Sequence, residues 1–517
     1  MKILLIVESP AKSKTIEKLL GANYIVLSSF GHIRNLDKKS LGIDVEDNFR
    51  PIYKILPDRS KQIKAIQETI KKVDKVLLAS DEDREGEAIA WHCAMVFKLN
   101  INDKNRICFH EITKVALENA VANPRNINMA MVYSQQARRI LDRLVGFKLS
   151  PILWKYIAPK LSAGRVQSAS LKLIMEKENE IKLFSDKIYF KTKGFFEKNI
   201  NANLNKNFEI SNEVIKFLED CKSAIMKIKD IEKREVSKTP IAPYITSSIQ
   251  QDIGNRFGIS SKQIMSVLQK LYENGLITYH RTDSTNLSDL IKDEIKNYLI
   301  NTYGNKYSHR RNFISKIKCA QEAHEAIRPT DINTLNLNNN YEEIEKKIYE
   351  IIWKRTVASQ MSCSLSEVYT INISISNRKE IFISVVEKLI FDGYKKIYNE
   401  FILNEELTIE LNDQDFNINN FKINDIINYN KIKSDQKFDN PPPRFNEASL
   451  IKKMEKIGIG RPSTYSNIIE TLIERKYIEK NDIKGKKISI EVFILEKIKN
   501  LIENKKEIIN SGAEKKN

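Results

Sequence analysis

The amino-acid sequence predicts a protein of several domains that combines α/β, helical and β-rich parts. The chain of 517 residues is too long for one compact core. Strands and helices alternate up to about residue 125, which predicts a parallel α/β sheet. Two segments rich in Asn, Ile and Lys, 188–236 and 366–430, have the short alternating runs of β-structure, and the segment between them is helical.

The first domain is predicted from apolar runs that end at polar or charged residues. We expect strands at 2–7, 24–28 and 75–79 and helices at 13–20 and 86–97. Because Glu8 ends the first apolar run at once, that run is typical of a strand and not of a signal peptide. No apolar stretch reaches the roughly 20 residues that span a bilayer, so we expect no membrane contact.

Residues 127 to about 185 are predicted to be mainly helical and are strongly basic. Two later stretches share a pattern of helix, turn, helix and strand. The first, 247–281, has its turn at Gly258 and its strand at 276–279; the second, 448–478, has its turn at 458–460 and its strand at 477–478. Both are typical of winged helix-turn-helix units, although two such stretches also arise by chance.

The overall charge favours a polyanionic partner. Lys and Arg number 85 and Asp and Glu number 67, which gives a net charge of +18. The alternative is the lysine bias of an AT-rich genome. The five cysteines form no C-x-x-C pair, which predicts neither a zinc ribbon nor a disulfide framework and fits a reducing cytoplasm; they are Cys93, Cys108, Cys221, Cys319 and Cys363.

Acidic residues follow two of the predicted strands. Asp81 and Asp83 lie just past strand 75–79, Glu85 precedes the next helix, and Glu8 ends strand 2–7. Because ligand sites of open α/β sheets lie at the carboxyl ends of strands, we expect these side chains to meet. Crowded carboxylates repel unless a cation lies among them, and an all-oxygen set favours Mg²⁺ over zinc. The alternative is a solvated helix N-terminus.

Two basic or phenolic residues are candidates for phosphate chemistry. Lys12 lies in the loop that enters the first helix, where it would reach a phosphate at the helix N-terminus; an ordinary surface lysine is the alternative. Tyr279 lies in Gly-Leu-Ile-Thr-Tyr-His-Arg-Thr-Asp-Ser-Thr-Asn-Leu-Ser, residues 275–288, with Arg281 two places on. A tyrosine that attacks a DNA phosphodiester needs such a polar setting, whereas buried tyrosines normally pack with their neighbours.

A basic helix and a small-residue turn are candidates for contacts with DNA. On the predicted helix at 135–147, Arg139, Asp142 and Arg143 share one face. They form either a surface ion-pair ladder or an arginine row along DNA that Asp142 orients. In the turn at 162–168, free backbone N–H groups beside Arg165 would form a phosphate cradle.

One histidine lies in a motif that is only superficially like a zinc site. The stretch 321–329 reads Gln-Glu-Ala-His-Glu-Ala-Ile-Arg-Pro, with His324 followed four places later by Arg328. The second histidine of H-E-x-x-H is therefore missing, which excludes a zinc protease of that class. His324 is either an ordinary core or surface histidine or part of a polar site.

Taken together, these stretches resemble bacterial DNA topoisomerase I, the type IA class. They occur in the order of that family and run through nearly the whole chain. The opening Val-Glu-Ser-Pro-Ala-Lys resembles topoisomerase I more than topoisomerase III. The matching stretches are 7–16, 29–34, 81–87, 137–146, 161–168, 275–288, 321–329 and 447–465.

The resemblance implies a toroidal core of four domains with a Toprim (Rossmann-like) domain, winged-helix-like units and a β-rich arch. The implied division is 1–126 for the Toprim metal-binding domain, 127–187 with 426–510 for a helical DNA-binding domain, 188–239 with 363–425 for the arch, 240–362 for the winged-helix-like tyrosine domain, and 511–517 for a disordered tail. Relatives often continue into cysteine-rich zinc ribbons, and this sequence ends at Asn517 without one.

The resemblance also implies the roles of individual residues. Tyr279 would be the nucleophile that takes a 5′-phosphate and leaves a free 3′-hydroxyl, and Arg281 would stabilise the phosphoryl charge. Glu8 would transfer protons near the leaving oxygen, and Lys12 and His324 would assist. Mg²⁺, but neither zinc nor ATP, would be needed, with Glu8, Asp81, Asp83 and Glu85 as ligands. The implied DNA-binding residues are His32, Arg138, Arg139, Asp142, Phe147, Trp154, Ser162, Ala163, Gly164, Arg165, Val166, Gln167 and Arg461.

The implied activity is the relaxation of negatively supercoiled DNA through its single-stranded segments, by a monomer in the cytoplasm at the nucleoid. The nearest alternative is a decatenase similar to topoisomerase III. A Toprim nuclease or primase would need no tyrosine, and a DNA-binding remnant would have weak turnover. His280 stands where a methionine is frequent in the family, and the sequence assigns it no role.

Overall fold

The computed structural model describes residues 2–37, 40–313, 325–398, 409–410, 420–482 and 485–511. The helices of these ranges are α1 (Pro10–Leu20), α2 (Ser60–Ile70), α3 (Arg84–Phe97), α4 (Lys114–Ala122), α5 (Met129–Tyr156), α6 (Arg165–Lys182), α7 (Ser211–Ser223), α8 (Thr246–Phe257), α9 (Ser261–Glu273), α10 (Asp289–Tyr303), α11 (Glu343–Ser359), α12 (Glu447–Lys456) and α13 (Tyr465–Glu474).

The strands of the same ranges are β1 (Ile3–Val7), β2 (Tyr24–Ser28), β3 (Arg34–Leu36), β4 (Ile43–Asp44), β5 (Arg50–Pro51), β6 (Tyr53–Ile55), β7 (Lys75–Leu78), β8 (Ile188–Phe196), β9 (Asn201–Leu204), β10 (Met226–Lys238), β11 (Ser364–Ile375), β12 (Ile381–Phe391), β13 (Ile409–Glu410), β14 (Tyr429–Phe438), β15 (Lys486–Glu496) and β16 (Leu501–Ser511).

The chain divides into two compact units, each built from three segments. The first contains Met1–Ile174, Ile241–Gln360 and Phe445–Ile478, and the second contains Met175–Pro240, Met361–Arg444 and Glu479–Asn517. Helices α12 and α13 therefore belong to the first unit and strands β14, β15 and β16 to the second, whereas the resemblance implies one helical domain of 127–187 with 426–510. The division into four domains remains a prediction.

The first unit is built on a parallel sheet, as predicted, and its strand order is β2-β1-β7. Every residue of the central strand β1 is buried, because helices and neighbouring strands cover it on all sides. Helix α1 begins earlier than predicted, since Ser9 caps it and Pro10 suits its first turn. Helix α3 also begins earlier, because Asp83 is its N-cap.

Two helix-turn-helix units pack together in the first unit. Helices α8 and α9 are joined at Gly258, and α12 and α13 across the turn that contains Gly460; α8 packs on α12 and α9 on α13. The predicted strands at 276–279 and 477–478 are wrong. Ile277 forms a single bridge with Pro329, and proline has no N–H to extend the ladder. The N–H groups of residues 477 and 478 instead donate to a carbonyl oxygen of α13.

The second unit contains, among the described residues, one nine-stranded sheet with the order β10-β11-β12-β9-β8-β14-β15-β16, in which β13 pairs with β12. Its pairs are antiparallel except for β12 with β13. Helix α7 contributes Phe217 and Leu218 to its core. The predicted β-rich character of both segments is confirmed. In the described ranges, no helix has the length and apolar character that a membrane crossing requires.

Candidate active site

The predicted acidic residues follow the ends of β1 and β7, which are neighbours in the sheet. The register pairs Ile6 of β1 with Leu78 of β7, so both strands end at the same edge. Glu8 follows β1, and Asp81 and Asp83 follow β7. The parallel sheet therefore brings these three carboxylates together. Lys12 contacts Asp81, and Tyr279 contacts Asp83.

The loop that carries Asp81 and Asp83 is held against the start of α3. The N–H of Gly86 donates to Asp83 Oδ1 (2.8 Å), which caps the helix. A Cβ atom at Gly86 would lie 2.1 Å from the carbonyl oxygen of Asp81, so only glycine permits this close approach. The first turn of α3 thus fixes the position of both aspartates.

Behind the same loop lies a buried network that the sequence did not single out. Arg106 donates from Nη1 to the carbonyl oxygen of Ser80 (2.7 Å), from Nη2 to that of Asp81 (2.7 Å), and from Nε to Glu87 Oε2 (3.0 Å). Arg125 donates to both carboxylate oxygens of Glu87 (2.8 Å and 3.0 Å). The signal in the sequence is weak, because it consists of one arginine before the apolar run at 107–109.

Lys12 is fully buried and is not a surface lysine. Its Nζ forms an ion pair with Asp81 Oδ1 and lies 3.8 Å from Glu8 Oε1. The same atom lies 5.1 Å from the ring centre of Tyr272, which comes from α9. The backbone N–H of Lys12 donates to Ser9 Oγ (3.3 Å), the cap of α1. Lys12 therefore joins both acidic strand ends to the helix that precedes Tyr279.

Tyr279 lies in an extended segment that is held tightly beside the α/β sheet. Its backbone N–H donates to the carbonyl oxygen of His110 (2.8 Å). Gly275, where the segment begins, has φ +75°, and a Cβ atom there would lie 2.5 Å from the carbonyl oxygen of Ile112. The side chain of Tyr279 is 5% exposed. The segment therefore carries Tyr279 to the acidic edge with little freedom.

The phenol of Tyr279 contacts the acidic edge directly. Its hydroxyl donates to Asp83 Oδ2 (2.6 Å), and Arg281 Nη1 lies 3.9 Å from the same oxygen. The ring of Tyr279 also packs edge-on against that of Tyr272, with 5.2 Å between centres. The structure thus brings Tyr279 and Arg281 together with Asp83 at the acidic edge that the sequence predicted.

The electrostatics of the site follow from burying several acids together. Burial, and then the charge of Asp81, raise the pKa of Glu8 to about 7. Burial, followed by Asp83 and Asp81, raises the pKa of Tyr279 well above its usual value. Burial lowers the pKa of Lys12, but the charges of Asp81 and Glu8 outweigh it and leave that pKa raised. Lys12 is therefore charged and Tyr279 protonated in this arrangement.

Glu85 differs from the other predicted metal ligands in its hydrogen-bond partners. Its Oε2 accepts from Gln135 Nε2 (3.0 Å) and lies 3.1 Å from His32 Nε2. Burial opposes ionisation, but the hydrogen bond and charge of His32 outweigh it and hold the pKa of Glu85 at about 2. Glu85 and His32 therefore form a pair with each other, and Gln135 is a site residue that the sequence did not select.

The donor set fits a hard divalent cation in kind. Glu8, Asp81 and Asp83 offer only oxygen atoms, and Asp81 Oδ2 is buried without a hydrogen-bond partner in the part of the chain that the structure describes. Across those residues, however, no group of three or more His, Cys, Asp or Glu side chains is arranged as a metal site. Lys12 and Tyr279 occupy oxygens of the two aspartates, so a cation would require these contacts to rearrange.

An open cleft extends from Asp83 and Arg281. Its lining has four arginines and three carboxylates, which leaves a small excess of positive charge; the arginines are Arg84, Arg138, Arg281 and Arg461. The remaining lining residues are Asp83, Glu85, Gln135, Asp283, Pro462 and Ser463. The arginines suit a phosphate backbone. Of the predicted DNA-binding residues, Arg138 and Arg461 line it directly.

The arginine row of α5 differs from the prediction in its partners. Asp142 lies 3.1 Å from Arg165 Nε and 3.8 Å from Arg138 Nε, so it orients these two side chains. Arg139 instead donates to Asn35 Oδ1 (3.1 Å), and Arg143 lies over the ring of Phe147. The difference arises because Arg165, distant in sequence, competes for the carboxylate.

In the turn that precedes Arg165, the backbone N–H groups of residues 162–164 all have hydrogen-bond acceptors. Their acceptors are side-chain hydroxyls: Tyr477 Oη for Ser162 (2.6 Å), Ser150 Oγ for Ala163 (3.2 Å) and Ser168 Oγ for Gly164 (3.2 Å). The N–H groups of residues 162–164 are therefore not available to a phosphate in this arrangement, and the cradle beside Arg165 stays a prediction. Val166 packs against the apolar cluster of α12 and α13, and Gln167 accepts from Arg475 Nη1 (2.9 Å).

The remaining predicted residues lie in three different settings. Phe147 and Trp154 of α5 are 41% and 51% exposed and are available for stacking. His324 lies outside the described residues. The ring of His280 is buried edge-on against Tyr279, with 5.4 Å between centres, and its Nδ1 has no hydrogen-bond partner among the described residues. Burial, then the charge of Arg281, keep the pKa of His280 well below its usual value.

The raised pKa of Glu8 predicts a pH-dependent stability of the metal-free protein. Below pH 4.5 Glu8 is protonated in both the folded and unfolded states, so it does not affect the free energy of unfolding. Above pH 7 it is charged in both states, and the burial of this charge lowers the free energy of unfolding by its full amount. We expect Glu8→Gln to raise the free energy of unfolding by up to about 3 kcal/mol above pH 7, and by progressively less towards pH 4.5.

Urea unfolding in EDTA across this pH range tests the prediction, with the exposed Glu46→Gln as a control that leaves the pH dependence unchanged. A gain for Glu8→Gln that is constant with pH, or larger at low pH, would contradict it.

The chain is similar to known proteins along most of its length. Residues 3–112 match the Toprim domain family, and residues 126–507 match a family described as DNA topoisomerase. The DNA topoisomerase 1 of Campylobacter jejuni is 42% identical over 499 residues, which cover 92% of this chain and 69% of that protein. The DNA topoisomerase 1 of Rickettsia bellii is 41% identical, with 92% of this chain and 62% of that protein covered.

A solved structure has the same architecture. Full-length topoisomerase I from Thermotoga maritima matches with a TM-score of 0.81 and 37% identity, over 92% of this chain and 79% of that chain. The chain thus spans about two thirds of the length of these curated relatives. These relatives are topoisomerase 1 proteins, so the comparison does not favour the alternative of a decatenase similar to topoisomerase III. The chain belongs to the bacterial DNA topoisomerase I family, the type IA topoisomerases, with an N-terminal Toprim domain.

Proposed function

We propose that this protein breaks one DNA strand through a covalent bond to Tyr279, passes a strand through the break and rejoins it, which relaxes negative supercoils. The observation that carries the proposal is the contact of the Tyr279 hydroxyl with Asp83 (2.6 Å), beside Arg281 and at the edge that holds Glu8, Lys12 and Asp81. A phenol, proton acceptors and cations for a phosphate are thereby joined in one site.

The covalent step requires two proton transfers. The phenolic oxygen of Tyr279 bonds to phosphorus while the bond from phosphorus to the 3′ oxygen breaks. The phenolic proton passes to Asp83, the acceptor of its hydrogen bond. Glu8, whose pKa is raised to about 7 by burial and by Asp81, is an acid that can protonate the leaving 3′ oxygen at neutral pH. Rejoining reverses both transfers, and the ester bond retains the energy, so no ATP is needed.

Charge on the reacting phosphate is stabilised by groups already near the phenol. Arg281 lies 3.9 Å from the oxygen that accepts the Tyr279 hydrogen bond, and buried Lys12 carries a second positive charge. Asp81 and Asp83 are the residues that we propose hold Mg²⁺, together with Glu8 once it has given up its proton. When bound, Mg²⁺ would supply a Lewis acid that neutralises these carboxylates and the phosphate. His324 would assist the phosphate, as expected from the resemblance.

We propose single-stranded DNA as the bound form and the positive cleft as part of its path. The arginines of the cleft suit phosphates, and exposed aromatic side chains of α5, Phe147 and Trp154, suit stacked bases. His32, Arg139 and Asp142, with residues 162–167, would extend this surface. From the family resemblance we also propose that the protein acts as a monomer on the nucleoid in the cytoplasm.

Replacement of Tyr279 tests the nucleophile. We expect Tyr279→Phe to reduce relaxation of a negatively supercoiled plasmid at least roughly a thousandfold and to abolish the covalent protein–DNA adduct, because no oxygen remains to attack. The matched control is Tyr272→Phe, which removes a neighbouring buried hydroxyl that lies 3.4 Å from Asp81 Oδ1. The control should retain activity within about tenfold. Relaxation by Tyr279→Phe would exclude the proposed mechanism.

Asp81 and Glu85 have different hydrogen-bond partners, so we expect them to contribute unequally to Mg²⁺ binding. Asp81→Asn should raise the Mg²⁺ concentration for half-maximal relaxation by roughly ten- to a hundredfold, because a buried ligand loses its charge. Glu85→Gln should raise it by less than about threefold, because Glu85 is bonded to His32 and Gln135. Calorimetric titration of Mg²⁺ with each variant gives an independent measure. Equal effects, or a larger effect of Glu85→Gln, would show that Glu85 is a principal ligand.

A further inference from the structure

Phe30 combines three properties that are unusual for a phenylalanine. It follows directly after β2 and Ser29, at the same edge of the sheet as Glu8. Its side chain is 46% exposed, and its backbone has φ +58°, in the left-handed region that disfavours bulky residues. The protein thus holds a large apolar ring in water at the cost of backbone strain, which is a common property of ligand-binding positions.

The turn that presents Phe30 is fixed to the backbone of Glu8. The N–H of Gly31 donates to the carbonyl oxygen of Glu8 (2.8 Å), and Ser28 Oγ donates to the same oxygen (3.0 Å). The N–H of Phe30 donates to Ser28 Oγ (3.0 Å), and Ser29 Oγ donates to the carbonyl oxygen of Gly31 (2.9 Å). The position of Phe30 is therefore set by the residue that we propose protonates the leaving oxygen.

A cation lies on one side of the Phe30 ring. The guanidinium carbon of Arg59 is 5.9 Å from the ring centre. Arg59 Nη1 lies 3.3 Å from Asp58 Oδ2, whereas its Nε is buried and has no hydrogen-bond partner within the described residues. The guanidinium of Arg59 lies on one side of the Phe30 ring and adds positive charge beside it. This combination suits an anionic ligand that contains a flat ring.

We propose that Phe30 is a base-stacking platform of a nucleotide subsite beside Glu8, with Arg59 as the neighbouring cation. The inference rests on the proposed function, because it identifies the ligand as one nucleotide of the cleaved DNA strand. An exposed aromatic ring binds any base through its face, and an arginine beside it attracts the phosphate. The subsite holds the strand next to the reacting phosphate, and its stacking is tolerant of base identity.

Phe49 provides a matched control within the same domain. It is also 46% exposed and also has a left-handed φ, +59°, in the turn between β4 and β5. No hydrogen bond in the described ranges joins its turn to the acidic strand ends. Phe30→Gly and Phe49→Gly therefore each remove one phenyl ring and relieve the strain of a positive φ. The two variants differ only in where the ring is removed.

The experiment measures binding of single-stranded oligonucleotides of about 12 nucleotides to the full chain carrying Tyr279→Phe, so that cleavage does not interfere. A single abasic nucleotide is moved along the oligonucleotide. When Phe30 is present, we expect the oligonucleotide with one particular abasic position to bind roughly five- to a hundredfold more weakly than the intact oligonucleotide. For Phe30→Gly, we expect these two oligonucleotides to bind equally well. Phe49→Gly should reproduce the profile of its parent, and Phe30→Trp should retain the sensitive position. The thermal midpoint of Phe30→Gly should not fall, which separates lost stacking from lost folding.

An unchanged abasic profile in Phe30→Gly would overturn the inference, as would an equal loss in Phe49→Gly. Adduct formation with the unmodified chain is measured separately. If the adduct forms on Tyr279 while the profile is unchanged, the subsite fails and the proposed function stands. If no adduct forms, the proposed function fails, and with it the assignment of the Phe30 ligand to a cleaved strand.

Discussion

The buried ion pair between Lys12 and Asp81 is the interaction on which the candidate active site depends. Lys12 comes from the first turn of α1, and Asp81 comes from the loop after β7. The same lysine lies against Tyr272 of α9, the helix that precedes the segment of Tyr279. One charge therefore joins both strand ends to the tyrosine segment. Removing either partner would leave an uncompensated buried charge, which typically costs 3–5 kcal/mol.

The ion pair also determines the charge state of its surroundings. Lys12 and Arg281 hold the pKa of Asp81 below its usual value even though burial opposes this, whereas Glu8 stays partly protonated near neutral pH. Arg106 and Glu87 support the same loop from behind through its backbone carbonyl groups. The result is a site in which one acid is ionised, one acid can donate a proton, and the phenol of Tyr279 remains protonated until it attacks.

The sequence predicted the parallel sheet and the helix-turn-helix pairs because hydrophobic periodicity and turn residues are local signals. It also predicted that Glu8, Asp81 and Asp83 would meet, because that follows from the topology of a parallel sheet. Contacts between distant segments were less predictable. Asp142 binds Arg165, and the N–H groups of Ser162 and Ala163 donate to the hydroxyls of Tyr477 and Ser150.

Three further features have the same physical origin. Glu85 appears in the acidic motif, but its bonds go to Gln135 of α5 and to His32, neither of which is adjacent in sequence. The network of Arg106, Glu87 and Arg125 is visible only once β7 and α3 are packed together. Likewise, nothing in the sequence around Phe30 indicates its left-handed backbone or its hydrogen-bonded link to Glu8.

The residue that bonds to DNA can be identified directly. The protein is incubated with a single-stranded oligonucleotide and Mg²⁺, denatured rapidly and digested, and the peptide that carries nucleotide is sequenced by mass spectrometry. We expect the 5′-phosphate to be attached to Tyr279. Attachment to Tyr272, the neighbouring buried tyrosine, or to any other residue would contradict this expectation, as would the absence of an adduct while relaxation proceeds.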